Sequence, residues 1–182
     1  MDPEYRKMVA FLGTLGIDDV PHSGQKGFLA HLIGVYKDLD AWGCDRDLCR
    51  AGLFHSIYGT EMFRRWALPL ERRDEVKSLI GERAEWIAYV NCLMDRSTFD
   101  ALLQSDGPYR IRNRESGEIM EMTRRDFDDL VCLHLCDWLE QVGRSDMWDY
   151  RHEAWKQMAH RLGGVALENY QRVFAAAPAT SA

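Results

Sequence analysis

Residues 28–43 read FLAHLIGVYKDLDAWG. Phe28, Leu32, Val35, Tyr36 and Leu39 recur at helical spacing up to the Trp42-Gly43 stop, which predicts an amphipathic helix with His31 beside its apolar stripe. A histidine there is either a hydrogen-bonded core residue or a ligand turned inward. On the N-terminal side, Met8, Val9, Phe11, Leu12 and Leu15 repeat the pattern over residues 4–15 and stop at Gly16. On the C-terminal side, Asp45 and Asp47 suit the N-cap of a third helix through Leu48, Ala51, Leu53 and Phe54, with His55 at its C-terminal end. The two histidines therefore fall on consecutive predicted helices.

The same reading extends along the chain. Pro69 starts a short helix with Val76, Leu79 and Ile80 inward, and Gly81 breaks it. A helix follows from Glu82 to Asp95, which places Asp95 at a helix end, or as the cap of the next helix through Arg96-Ser97-Thr98. Residues 109–122 alternate around a turn containing Gly117 and predict an isolated β-hairpin. Thr123 suits the N-cap of a long helix containing Phe127, Leu130, Val131, His134, Asp137, Trp138 and Val142. Two further helices, from Met147 to Leu162 and from Val165 to Phe174, are split by Gly163-Gly164. The expectation is an all-α protein with one small hairpin, a single domain over residues 1–182.

Composition narrows the partners. At 182 residues, 46% hydrophobic and 29% charged, the chain has material for one well-formed core. A net charge of −6 offers no attraction to a phosphate backbone or an anionic membrane, so neither nucleic acid nor membrane is an expected partner. The five cysteines form an odd set without a CxxC pair and read as reduced thiols. The opening Met1-Asp2-Pro3-Glu4 lacks an apolar leader, and no stretch approaches the ~20 apolar residues of a membrane span, so a cytoplasmic location is expected. A small-molecule substrate is the expected partner, with a homodimer left open.

Two neutral imidazoles and one carboxylate can bind a divalent ion on one face and leave positions for water or substrate. The local words sharpen this. His22-Ser23-Gly24 precedes His31 by nine positions, and Cys49-Arg50-Ala51-Gly52-Leu53-Phe54 leads into His55. Together with Ile80-Gly81-Glu82, Ala84-Glu85 and Asp95, these words resemble the HD superfamily of helical metalloenzymes. The likeness is to the hydrolase domain of the alarmone (guanosine polyphosphate) synthetase/hydrolase enzymes, and it covers residues 20–96. It implies an HD-like helical bundle in which residues 20–96 form the metal-site core and residues 97–175 add the hairpin and C-terminal helices. It also implies His31, His55 and Asp95 as ligands of one divalent metal (Mn, Zn or Fe). His22 is then a further ligand or a substrate contact, and Glu61 or His22 handles the proton.

One departure is specific. Ser56 stands where the family has the aspartate of its His-Asp pair, and the acidic residues that follow there are reduced to Glu61. Alarmone hydrolysis itself is therefore not the expected activity. The leading expectation is a metal-dependent hydrolase of a small phosphorylated or nucleotide-like molecule. A mononuclear non-haem iron oxygenase and a degenerate HD-like domain that binds a ligand or partner without catalysis are the alternatives. His134 and Asp137 share a helix face, but with Leu133, Leu135 and Trp138 around them they read as core packing with a polar edge. Arg110, Arg112 and Arg114 alternate on the hairpin and read as a solvated face, with a phosphate contact as the alternative.

Overall fold

Side-chain caps start three of the described helices, those preceded by Asp45, Asp95 and Thr123. The computed structural model describes residues 2–17, 20 and 27–178. Helix α1 (Tyr5–Thr14) buries Met8 and Leu12. In α2 (Phe28–Ala41), His31 is buried with Phe28, Leu32, Val35, Tyr36 and Leu39, so it belongs to the apolar face itself. Helix α3 (Arg46–Phe54) starts where the Asp45 carboxylate accepts the Leu48 N–H at 2.9 Å, and His55 follows its last turn.

A single 3-10 turn after Pro69 leads into α4 (Arg73–Ile80). Gly81, at φ +95°, ends α4 and allows α5 (Glu82–Leu93) to begin at once in a new direction. The short α6 (Arg96–Asp100) is followed by β1 (Tyr109–Arg112) and β2 (Ile119–Met122), which pair antiparallel with Tyr109 opposite Met122. Helix α7 (Arg124–Val142) is capped by Thr123, whose hydroxyl accepts the Asp126 N–H at 3.1 Å. Helices α8 (His152–Leu162) and α9 (Gly164–Phe174) complete the described chain. The helix expected from Met147 begins only at His152, because Arg151 adopts the left-handed conformation (φ +50°) and cannot continue a right-handed helix. The molecule is thus all-α with one small hairpin, as expected.

Helix α7 organises the core. It buries eleven residues from Phe127 to Val142, distributed almost all round the helix, and packs against α2, α3, α5, α8 and α9. Helices α2 and α3 approach each other closely at Gly52, where a β-carbon would overlap Leu39 Cδ1. That approach brings the end of α3 under α2 and both against α7. Among the described residues, no helix is long and apolar enough to cross a membrane.

Candidate metal centre

Three helices each deliver one side chain to a common point. His31 comes from α2, His55 from the end of α3 and Asp137 from α7. His31 Nε2 lies 3.1 Å from His55 Nε2 and 3.0 Å from Asp137 Oδ1, and His55 Nε2 lies 3.3 Å from the same oxygen. The three atoms form a nearly equilateral triangle. Bonds of about 2.0–2.2 Å to one ion place neighbouring ligand atoms roughly 3.0–3.4 Å apart, so the spacing fits a shared divalent cation.

The hydrogen-bond partners explain why a cation suits this point. His31 Nδ1 is 2.6 Å from Glu140 Oε2, and His55 Nδ1 is 2.7 Å from the Gly52 carbonyl oxygen. Carboxylate and carbonyl can only accept, so both Nδ1 atoms carry protons and both Nε2 lone pairs are directed at the common point. Asp137 Oδ1 meets them there, although it also accepts from Gln141 Nε2 at 2.9 Å. Three acceptors converging in a buried space repel one another. One proton relieves only part of that repulsion, whereas a divalent ion satisfies all three. The buried group of His31, His55 and Asp137 can hold a metal ion.

Charge balance reinforces the arrangement. Burial pushes the His31 pKa down, but Asp137 and Glu140 outweigh it and leave the pKa above its usual value. For Asp137, burial raises the pKa, and the flanking His55 and His31 pull it well below the carboxylate range. Glu140 also accepts from Arg144 Nη2 at 2.7 Å, which steadies the carboxylate that orients His31.

The two imidazoles are fully buried, while the Asp137 side chain is 11% exposed and opens into a cavity of about 270 Å³. Ser56, Arg65, Arg96, His134, Gln141, Trp138 and Trp155 also line it. Trp138 and Trp155 stack at 4.9 Å, and the buried Trp138 Nε1–H has no acceptor among the described residues. His134 is held neutral: its Nδ1–H donates to Asn91 Oδ1 at 3.0 Å, and its Nε2 accepts from Arg151 Nη1 at 3.0 Å. Burial first, and then Arg151, keeps its pKa well below 6.5. Asn91 Nδ2 donates in turn to the His55 carbonyl at 2.8 Å, tying this network to the end of α3.

The expected residues are thus sorted by packing. His31 and His55 come together as expected. Asp95 does not join them, which corrects the expected ligand set. Its carboxylate caps α6 by accepting from Ser97 N at 2.9 Å, Ser97 Oγ at 2.6 Å and Thr98 N at 3.3 Å. The carboxylate that joins the histidines is Asp137, which the sequence reading assigned to core packing. A charged group among Leu133, Cys136 and Leu139 was the available signal, since a buried carboxylate needs partners.

Glu61 is also displaced from the expected place. It is exposed, is absent from the cavity lining and pairs with Arg96 at 3.6 Å. His22 lies outside the described residues. Ser56 is buried at the cavity wall. Of the hairpin arginines, Arg110 pairs with Glu121 at 2.9 Å and Arg112 is exposed. Arg114 turns inward to donate to the Cys92 carbonyl at 3.0 Å.

Residues 11–96 match a family described as a domain of unknown function, DUF6817. The match takes in just under half of the chain, includes both histidines and stops short of α7, so Asp137 and Glu140 lie beyond it. Neither the curated proteins nor the solved structures contain a match.

Proposed function

We propose that this chain is a metal-dependent hydrolase of a small phosphorylated or nucleotide-like molecule, with His31, His55 and Asp137 as the metal ligands. The observation that carries the reading is the convergence of three acceptor atoms, spaced 3.0–3.3 Å apart, at the wall of a cavity that carries both charged and aromatic side chains. A divalent ion there supplies Lewis acidity and a water of lowered pKa.

The chain's own residues do the rest. Glu140 keeps the proton on His31 Nδ1 and so keeps the Nε2 lone pair directed inward. Arg65 and Arg96 present positive charge to an anionic substrate. The stacked Trp138 and Trp155 provide a flat apolar wall for the remainder of the molecule.

The test is metal analysis of protein purified without chelator or metal-affinity resin, together with turnover of para-nitrophenyl phosphate and its diester. The expected result is close to one divalent ion per chain and metal-dependent hydrolysis, both lost in His31→Ala and Asp137→Ala. Metal-free wild-type protein without turnover would overturn the proposal. The two-histidine, one-carboxylate donor set favours one second reading, a mononuclear iron oxygenase. Iron in the purified protein with Fe(II)-dependent oxygen uptake would select it.

A further inference from the structure

The five thiols divide into two groups. Cys49, Cys92 and Cys136 are buried, and each is directed at a main-chain carbonyl: Cys44 O at 3.7 Å, His55 O at 3.1 Å and Val35 O at 3.9 Å respectively. Cys44 and Cys132 are only partly buried and meet each other, Sγ to Sγ, at 3.8 Å. Cys44 sits in the turn between α2 and α3, directly after Gly43 at φ +79°, and Cys132 lies on α7.

A disulfide needs the sulfurs at about 2.05 Å, a closure of roughly 1.8 Å that side-chain rotation and the turn beside Cys44 can supply. The two thiols also differ in acidity. The hydrogen bond between the two sulfurs lowers the Cys44 pKa, and that bond together with burial raises that of Cys132. Burial meanwhile pushes Cys49 and Cys92 up to about 12. Cys44, carried by the turn, is assigned the attack, and Cys132, held on α7 against it, the resolving step.

We infer that Cys44 and Cys132 form a dithiol pair that a peroxide converts to an intramolecular disulfide. The Cys44 thiolate attacks one peroxide oxygen, the O–O bond breaks, and Cys44 becomes a sulfenic acid as the first water leaves. The Cys132 sulfur then attacks the Cys44 sulfur, the S–O bond breaks and a second water leaves. Two thiols are oxidised by two electrons, and one hydrogen peroxide is reduced to two waters. The product ties the α2–α3 turn to the helix that carries Asp137. The pair involves no proposed metal ligand, so this inference stands apart from the hydrolase reading.

The test treats the full chain, as purified, with equimolar hydrogen peroxide, blocks remaining thiols with N-ethylmaleimide and maps tryptic peptides without reduction. Trypsin separates Cys44 (residues 38–46) from Cys49 (residues 47–50) and leaves Cys132 and Cys136 together (residues 126–144). The expected product is 38–46 joined to 126–144, about 2 Da lighter than the sum of the two peptides and reversed by dithiothreitol. It persists in Cys136→Ala and disappears in Cys132→Ser. If Cys132→Ser does not fold, fragmentation of the wild-type product between Cys132 and Cys136 locates the bond. A link from 38–46 to 47–50, a bond at Cys136, or Cys44 oxidised to sulfinate with no linked peptide would each overturn the inference.

Discussion

The Nδ1 proton of His31 is held by Glu140 Oε2 at 2.6 Å, across 109 residues of sequence. This contact joins α2 to α7 and fixes which nitrogen of His31 faces His55 and Asp137. Glu140→Gln keeps an acceptor but removes the charge that raises the basicity of the imidazole. Metal affinity should fall about 10–100-fold, measured by calorimetric titration of Zn or Mn into the apoprotein. Unchanged affinity would mean that Glu140 serves packing alone.

Asp137 and Asp95 should separate cleanly by variant. Asp137→Ala should abolish metal retention, because it removes the carboxylate of the converging set. Asp95→Ala should retain the metal and lose about 1 kcal/mol of stability in urea unfolding, the usual cost of an N-cap. Metal loss in Asp95→Ala with retention in Asp137→Ala would reverse the assignment.

The His134 network gives stability a definite pH dependence. Folded His134 stays neutral, with a pKa well below 6.5, whereas in the unfolded chain it takes up a proton near its ordinary value. The unfolded state therefore binds more protons as pH falls below 6.5, and His134 removes up to about 1.4 kcal/mol of stability per pH unit until its folded pKa is reached. His134→Gln lacks this contribution. Urea unfolding at successive pH values should show the wild type losing stability relative to the variant below pH 6.5. A difference independent of pH would be inconsistent with a buried neutral imidazole.

The close approach of α2 and α3 predicts a steric effect at Gly52. A methyl group there overlaps Leu39 Cδ1, so this fully buried side chain must turn aside within the core. Gly52→Ala should destabilise by about 1–3 kcal/mol, read from the urea midpoint. Because the Gly52 carbonyl orients His55, the variant should also bind metal more weakly. A wild-type midpoint would mean that the Leu39 side chain turns aside at no cost.

Most of the secondary structure was legible because its determinants are local. Asp45 and Thr123 cap the helices they precede, Gly81 breaks the chain where its positive φ is needed, and apolar spacing marks the buried faces. His31 and His55 were legible as a pair for the same reason, as both sit at fixed places on consecutive helices. The start of α8 was not, since the left-handed Arg151 is held by its bonds to Asp100 and His134, residues distant in sequence.

The third member of the site depended on tertiary structure alone. Asp95 and Asp137 are both acidic residues on or beside predicted helices; the apolar neighbours of Asp137 indicate burial, but not which partners it will meet. Short-range geometry commits the Asp95 carboxylate to the amides of Ser97 and Thr98. Asp137 lies one helical turn before Glu140 on α7, and only the packing of α7 against α2 and α3 brings both carboxylates to His31. Capping and periodicity act over a few residues and can be read from the chain. A converging ligand set is a relation among three helices, and its geometry exists only once their apolar faces have chosen partners.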